Sequence, residues 1–107
     1  GVGAEAATGT ARVVLDVTDL LAVEPGDVLV TPMTTPTFNA AIAASAALVC
    51  DHGGNASHAA IMAREFCLPA VVGTGSATTT IPDGSVVTVD PASGTVTIID
   101  TLDQAEP

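Results

Sequence analysis

Histidine is the side chain whose neutral form is most readily both a base and a nucleophile near neutral pH, and this chain has two, His52 and His58. They lie in the segment Asp51-His52-Gly53-Gly54-Asn55-Ala56-Ser57-His58, which leads into Ala59-Ala60-Ile61-Met62-Ala63-Arg64. The order is strand, glycine pair, then a histidine in the first turn of a helix. Two glycines let the backbone turn sharply and bring its amides close to an oxyanion. A helix that follows offers unpaired N–H groups and a partial positive charge of roughly half a unit. A phosphoryl group on His58 would be received there without a lysine. The same positive end disfavours an imidazolium, which keeps His58 neutral and nucleophilic. Gly53, Gly54 and Ser57 are therefore candidate phosphate-binding residues. Gly73 and Ser76, in the loop after a neighbouring strand, are two more. Arg64 lies six residues beyond His58, almost two helical turns away. It reads as a structural or interdomain anchor ahead of a direct phosphate ligand, and stays among the candidates. His52 reads as a loop residue beside the site.

The elements that must position these residues follow from pattern. Residues 10–17, rich in β-branched side chains, make a first strand, and Pro25-Gly26-Asp27 turns into a second at 28–31. Thr35 caps and Pro36 opens a helix through the Ala-rich run from Phe38 to Ser45. Residues 47–50 form a short apolar strand that ends at Asp51. The next helix is expected from Ser57 to Phe66. Ala59, Met62, Ala63 and Phe66 fall at i, i+3, i+4 and i+7 and form its apolar face. Pro69 ends it, and residues 70–72 are a strand. The loop 73–76 and the turn Pro82-Asp83-Gly84 come next. A hairpin closes the fold, with strands at 86–90 and 95–99 around the turn 91–94. The fold class is α/β, with several short strands and two main helices. Residues 1–9 are expected to be a linker, 10–100 the domain, and 101–107 a polar tail.

Bulk properties narrow the functions. A length of 107 residues suits one domain. Hydrophobic residues make up 48% but aromatics only 2%, so the core is built from Ala, Val, Ile and Leu. Twelve acidic residues oppose two arginines and no lysine, for a formal charge of −10. Such a surface repels nucleic acid and anionic membrane, so neither is an expected partner. No apolar run reaches the roughly 18 residues of a membrane span. No cleavable leader is visible, and the start at Gly1 reads as a piece of something longer. Cys50 and Cys67 stand outside any CxxC pattern, which suits a reducing cytoplasm. Together with His52 and His58 they give C-x-H-x5-H-x8-C, which matches no common zinc pattern, so no metal site is expected. The carboxylates are scattered singly, unlike a pair built for acid–base work.

Gly53-Gly54-x-x-Ser57-His58-Ala59-Ala60-Ile61-x-Ala63-Arg64-Glu65, followed by Leu68-Pro69-Ala70-Val71-Val72-Gly73, closely resembles the swivelling phosphohistidine domain of phosphoenolpyruvate-utilising enzymes. That family includes pyruvate phosphate dikinase, phosphoenolpyruvate synthase, enzyme I of the sugar phosphotransferase system and rifampin phosphotransferase. The resemblance extends to Val28–Pro36, to Asp83-Gly84 and to the closing hairpin, and covers roughly residues 9 to 99. It implies a compact β/β/α swivelling fold. It also implies that His58 is phosphorylated, at Nε2, and relays the group between two distant sites. One site loads it from phosphoenolpyruvate or ATP, and the other passes it to an acceptor. The domain would then bind no cofactor itself. Magnesium and ATP or phosphoenolpyruvate would sit in partner domains, one ATP-grasp-like and one for phosphoenolpyruvate or the acceptor. Alone it is a catalytic carrier and not a complete phosphotransferase. The competing expectation is a docking module of the same fold that regulates its partners without being phosphorylated.

Two residues depart from the family pattern. Many members have Thr where this chain has Ala56, so one contact to the histidine or phosphate is expected to be missing. Cys67 stands where Gly usually forms a left-handed helix end, so the helix is expected to finish differently.

Overall fold

A computed structural model describes residues 5–54 and 57–100. The first half of the expected linker, the position of Ala56 and the polar tail 101–107 lie outside the described residues. The fold is the expected α/β class: one six-stranded mixed sheet with short helices. The strands are β1 (Ala7–Val13), β2 (Val28–Thr31), β3 (Ala47–Cys50), β4 (Ala70–Val71), β5 (Val86–Asp90) and β6 (Thr95–Asp100). Their spatial order is β4-β3-β2-β1-β5-β6. Neighbours from β4 to β1 run parallel, and β5 and β6 close the far side antiparallel.

β2 and β3 are buried at every position. This is why Val-Leu-Val-Thr and Ala-Leu-Val-Cys read as continuous apolar runs and not as alternating ones. Successive side chains still go to opposite faces. Leu29, Leu48 and Cys50 join one core with Phe38, Ile42, Ala59, Ala60 and Ala63. Val28, Val30, Ala47 and Val49 join another with Ala77, Ile81, Val87 and Val89. The first core lies under helices α1 (Asn39–Ala44) and α2 (His58–Glu65), and the second meets α3 (Ala77–Thr80) and the hairpin.

Four local expectations change. The first strand starts three residues early and stops at Val13, because Ala7–Thr10 pair with Val86–Val89 of β5. Residues 17–22 form a 3-10 turn, held by the Asp19 carboxylate, which accepts the N–H groups of Leu15 and Asp16. On α2, Ala59, Ala60 and Ala63 are buried, but Phe66 is 38% exposed, so the buried stripe is narrower and smaller than its spacing suggested. Cys67 adopts φ +58, so the left-handed helix end survives without glycine.

α3 is one alanine followed by three threonines, whose β-branched side chains have little intrinsic helical preference. Its start is fixed from a distant strand. Asp51, at the end of β3, accepts the Thr78 N–H at 3.0 Å and the Thr78 hydroxyl at 2.6 Å. Burial works to raise the Asp51 carboxyl. The Thr78 hydroxyl and N–H outweigh it, with Ala77 and the charge of His52 adding, and hold the group below the usual carboxylate range.

Candidate functional site

Three loops leave the carboxyl ends of the parallel strands side by side, the place where open parallel sheets present ligand sites. The loop after β2 carries Thr34, the loop after β3 carries the glycine pair, and the loop after β4 carries Gly73 and Ser76. Backbone hydrogen bonds lock them together. His52 N–H donates to the Pro32 carbonyl at 2.9 Å, Thr74 N–H to that of Cys50 at 3.2 Å, and Gly75 N–H to that of Asp51 at 2.9 Å.

The glycines have a steric reason to be glycine. Gly53 has φ +122, and a Cβ there would lie 2.9 Å from Ser57 Oγ. Gly73 has φ +74, and its Cβ would lie 2.9 Å from the Gly53 carbonyl oxygen. Backbone therefore packs against backbone where the loops after β3 and β4 meet. Gly54, by contrast, faces open space.

Ser57 is the N-cap of α2. Its hydroxyl donates to the Gly54 carbonyl at 2.8 Å and accepts from Ala60 N–H at 3.2 Å. The hydroxyl is thus committed to closing the turn and starting the helix. His58 is the first residue of α2 and is half-buried.

Both nitrogens of the His58 ring have partners that sequence spacing did not reveal. Thr34 Oγ1 lies 2.6 Å from Nδ1, and Asn39 Oδ1 lies 3.1 Å from Nε2. Thr34 is 24 residues away in the chain and only 5% exposed. Asn39, the first residue of α1, is 19 residues away and half-buried. The one available signal was topological: Thr34 follows a parallel strand adjacent to the strand that leads to His58. Nothing in the spacing pointed to Asn39. The structure therefore brings together Gly53, Ser57, His58 and Gly73, with Gly54 at the rim.

The remaining candidates sit further off. Ser76 is exposed and caps α3 with its backbone, its carbonyl accepting from Thr79 and Thr80. Arg64 is exposed in the last turn of α2. It stands about 9 Å further along the axis than His58 and roughly 120° around it. The other arginine, Arg12, pairs with Asp27 at 3.1 Å on the opposite side of β2 from the β3 loop. His52 is exposed beside Asp51. Burial, with Asp51 adding, pushes the Cys50 thiol up to about 12, so it is a core group and not a nucleophile. Among the described residues no three His, Cys, Asp or Glu are grouped to hold a metal ion, and no helix is long and apolar enough to cross a membrane.

Residues 23–94, two thirds of the chain and the whole of this site, match the family described as the mobile domain of PEP-utilising enzymes. The chain belongs to that family. The mobile domain is 49% identical over 90 residues to a probable phosphoenolpyruvate synthase of Archaeoglobus fulgidus, covering 84% of this chain and 12% of that protein. It is 44% identical over 93 residues to the phosphoenolpyruvate synthase of Escherichia coli, with 87% and 12% covered. It matches the uncharacterized phosphotransferase YvkC of Bacillus subtilis at the same 44% identity, with 87% and 11% covered. A solution structure of Enzyme I aligns with a TM-score of 0.64 at 34% identity, over 81% of this chain and 36% of that one. The mobile domain thus spans about a tenth of the length of these curated relatives, which carry much else besides.

Proposed function

We propose that this mobile domain is a phosphoryl carrier in which His58 accepts a phosphoryl group at Nε2 and passes it to an acceptor at a second site. The observation that carries the reading is the pair of contacts on the imidazole. Nδ1 is engaged at 2.6 Å by Thr34, which is buried, whereas Nε2 meets Asn39, which is half-buried, at the longer distance of 3.1 Å.

The ring works with its proton on Nδ1, donated to Thr34 Oγ1. The Nε2 lone pair then attacks the phosphorus of the donor, and the bond from phosphorus to the leaving oxygen breaks, with the pair staying on that oxygen. Positive charge that develops on the ring is left at Nδ1–H, against the Thr34 oxygen. Return is the reverse: an acceptor oxygen attacks, the N–P bond breaks, and the pair goes back to Nε2. The opening of α2 places peptide dipoles where the phosphoryl charge arrives, and the tight loops at Gly53 and Gly73 keep the backbone close to it. Ser57 acts by shaping this turn, and Gly54 leaves one side open for a donor to approach.

The donor in this reading is ATP or phosphoenolpyruvate, bound with magnesium in partner domains outside this chain. The working place of such a carrier is the cytoplasm. The test is intact mass after incubation with those domains and each donor in turn. The expected result is one acid-labile phosphoryl group, absent in His58→Ala and present in His52→Ala. With demonstrably active partner domains, an unphosphorylated wild type would instead identify a regulatory docking module.

A further inference from the structure

The two partners of His58 differ in what they specify. A hydroxyl both donates and accepts, so Thr34 at 2.6 Å from Nδ1 is compatible with either tautomer. The Asn39 side chain carries an acceptor and a donor on one planar group, exchanged by a half-turn of the amide. With Oδ1 toward Nε2 at 3.1 Å, Nε2 is the protonated nitrogen and donates. It then has no lone pair for attack. With the amide reversed, the NH2 group donates to Nε2 and the ring proton sits on Nδ1, against Thr34. The exchange is neutral: one proton leaves Nε2 for water and one is taken up at Nδ1.

We infer that Asn39 is a positioning residue that arms and parks His58, its carbonyl oxygen holding the ring in the unreactive tautomer and its NH2 group holding it in the reactive one. This rests on the reading of His58 as the phosphoryl acceptor. The side chain has the anchorage for such a role. Asn39 opens α1 directly after the 3-10 turn Pro36–Phe38, and Phe38 and Ile42 on either side of it are buried in the helix-side core. Its backbone is therefore fixed, while its half-buried amide reaches α2. Transfer also gives the amide a second task. When phosphorus bonds to Nε2, the displaced N–H lies next to the arriving oxygens and passes from the ring nitrogen to one of them.

Substitution separates these roles. Asn39→Asp is nearly isosteric but can only accept, so it keeps the proton on Nε2. Asn39→Ala supplies neither contact. Two readouts apply to the whole chain: the ring-nitrogen 15N spectrum of His58, which reports the tautomer, and the rate of phosphorylation by potassium phosphoramidate, a small phosphoryl donor that needs no partner domain. Thermal melts of both variants establish that each is folded. Asn39→Asp is expected to shift the ring toward the Nε2–H tautomer. It should also be phosphorylated at least about tenfold more slowly than Asn39→Ala, the scale of one lost hydrogen bond in a rate. Equal rates in the two variants, or an Asp variant with the wild-type tautomer, would overturn the inference while leaving the carrier reading intact. A wild type that takes no phosphoryl group from phosphoramidate or from its enzymic donors would overturn both.

Discussion

Among the described residues, Cys67 is the one non-glycine residue with a positive φ. It lies in the left-handed region at φ +58, just beyond the end of α2, and it is exposed. A side chain in that conformation costs roughly 1–2 kcal/mol because Cβ crowds the following carbonyl. Glycine removes the clash but adds freedom to the unfolded chain, which offsets about 0.4–1 kcal/mol of the gain. The thiol adds little on either side of the balance, since its side chain lies in solvent. The backbone bonds that define the turn, Cys67 N–H to Arg64 and Leu68 N–H to Ala63, do not involve it. Cys67→Gly should therefore stabilise the domain by about 0.5–1 kcal/mol. For a chain of this size that raises the melting temperature by about 3–6 °C. Cys67→Ala is the control: it removes the thiol and keeps the strain, so it should melt within about 2 °C of the wild type. Calorimetric or circular-dichroism melts decide the matter. A Gly variant no more stable than wild type, or an Ala variant that gains as much as Gly, would show that the left-handed backbone is not the source of the effect. His58 sits at the other end of α2, so the rate of its phosphorylation should not change in either variant.

Thr34→Val keeps the volume and removes the hydroxyl 2.6 Å from Nδ1. Phosphorylation of His58 should slow about tenfold, and Thr34→Ser should restore it; a Val variant as fast as wild type in an intact-mass time course would remove Thr34 from the mechanism. Asp51 makes a pH-dependent contribution. Its carboxyl titrates lower in the folded protein than its ordinary value of 3.8, so the stabilisation is complete above that value and is lost as the pH falls through the lower native one. Asp51→Asn should cost about 1–2 kcal/mol at pH 7 and much less near pH 2, measured by urea unfolding at both. An equal cost at both pH values would mean that Asp51 acts through shape and not through charge.

What could be read from the sequence depended on how local its cause was. β2, β3 and the closing hairpin are legible because their apolar runs and turn residues are contiguous. α2 is legible because Ser57 caps it and Pro69 stops the chain continuing. α3 is not, since the group that fixes its start is Asp51, 27 residues upstream of Thr78. β1 is misplaced for the same reason: Ala7-Thr8-Gly9 looks like linker until β5 is beside it, and Gly9 there lies so close to the Gly26 carbonyl that a Cβ would fall 2.5 Å from it. His58, the proposed phosphoryl acceptor, could be singled out from its local frame of glycines and helix start. Thr34 and Asn39, which determine what the ring can do, could not be, because they reach it across two strand–helix connections.

The acidity of the domain fits a carrier better than a receptor. A site that bound the phosphoryl group through several arginines would hold it too firmly to pass on. Here one arginine is tied to Asp27 and the other stands in the last turn of α2, so the neighbourhood of His58 is built from peptide dipoles and uncharged hydrogen-bonding groups. Dipoles at a helix opening steady an anion by about a kilocalorie or less when exposed, enough to orient a phosphoryl group that the N–P bond would already hold. On the carrier reading proposed above, the stronger cations would belong to the sites that load and unload His58. A formal charge of −10 would draw the whole domain toward any such cationic cleft over about a Debye length, roughly 8 Å at physiological salt. If His58 carries the phosphoryl group as proposed, the excess of acid over base that repels nucleic acid would help to seat the domain against such a cleft.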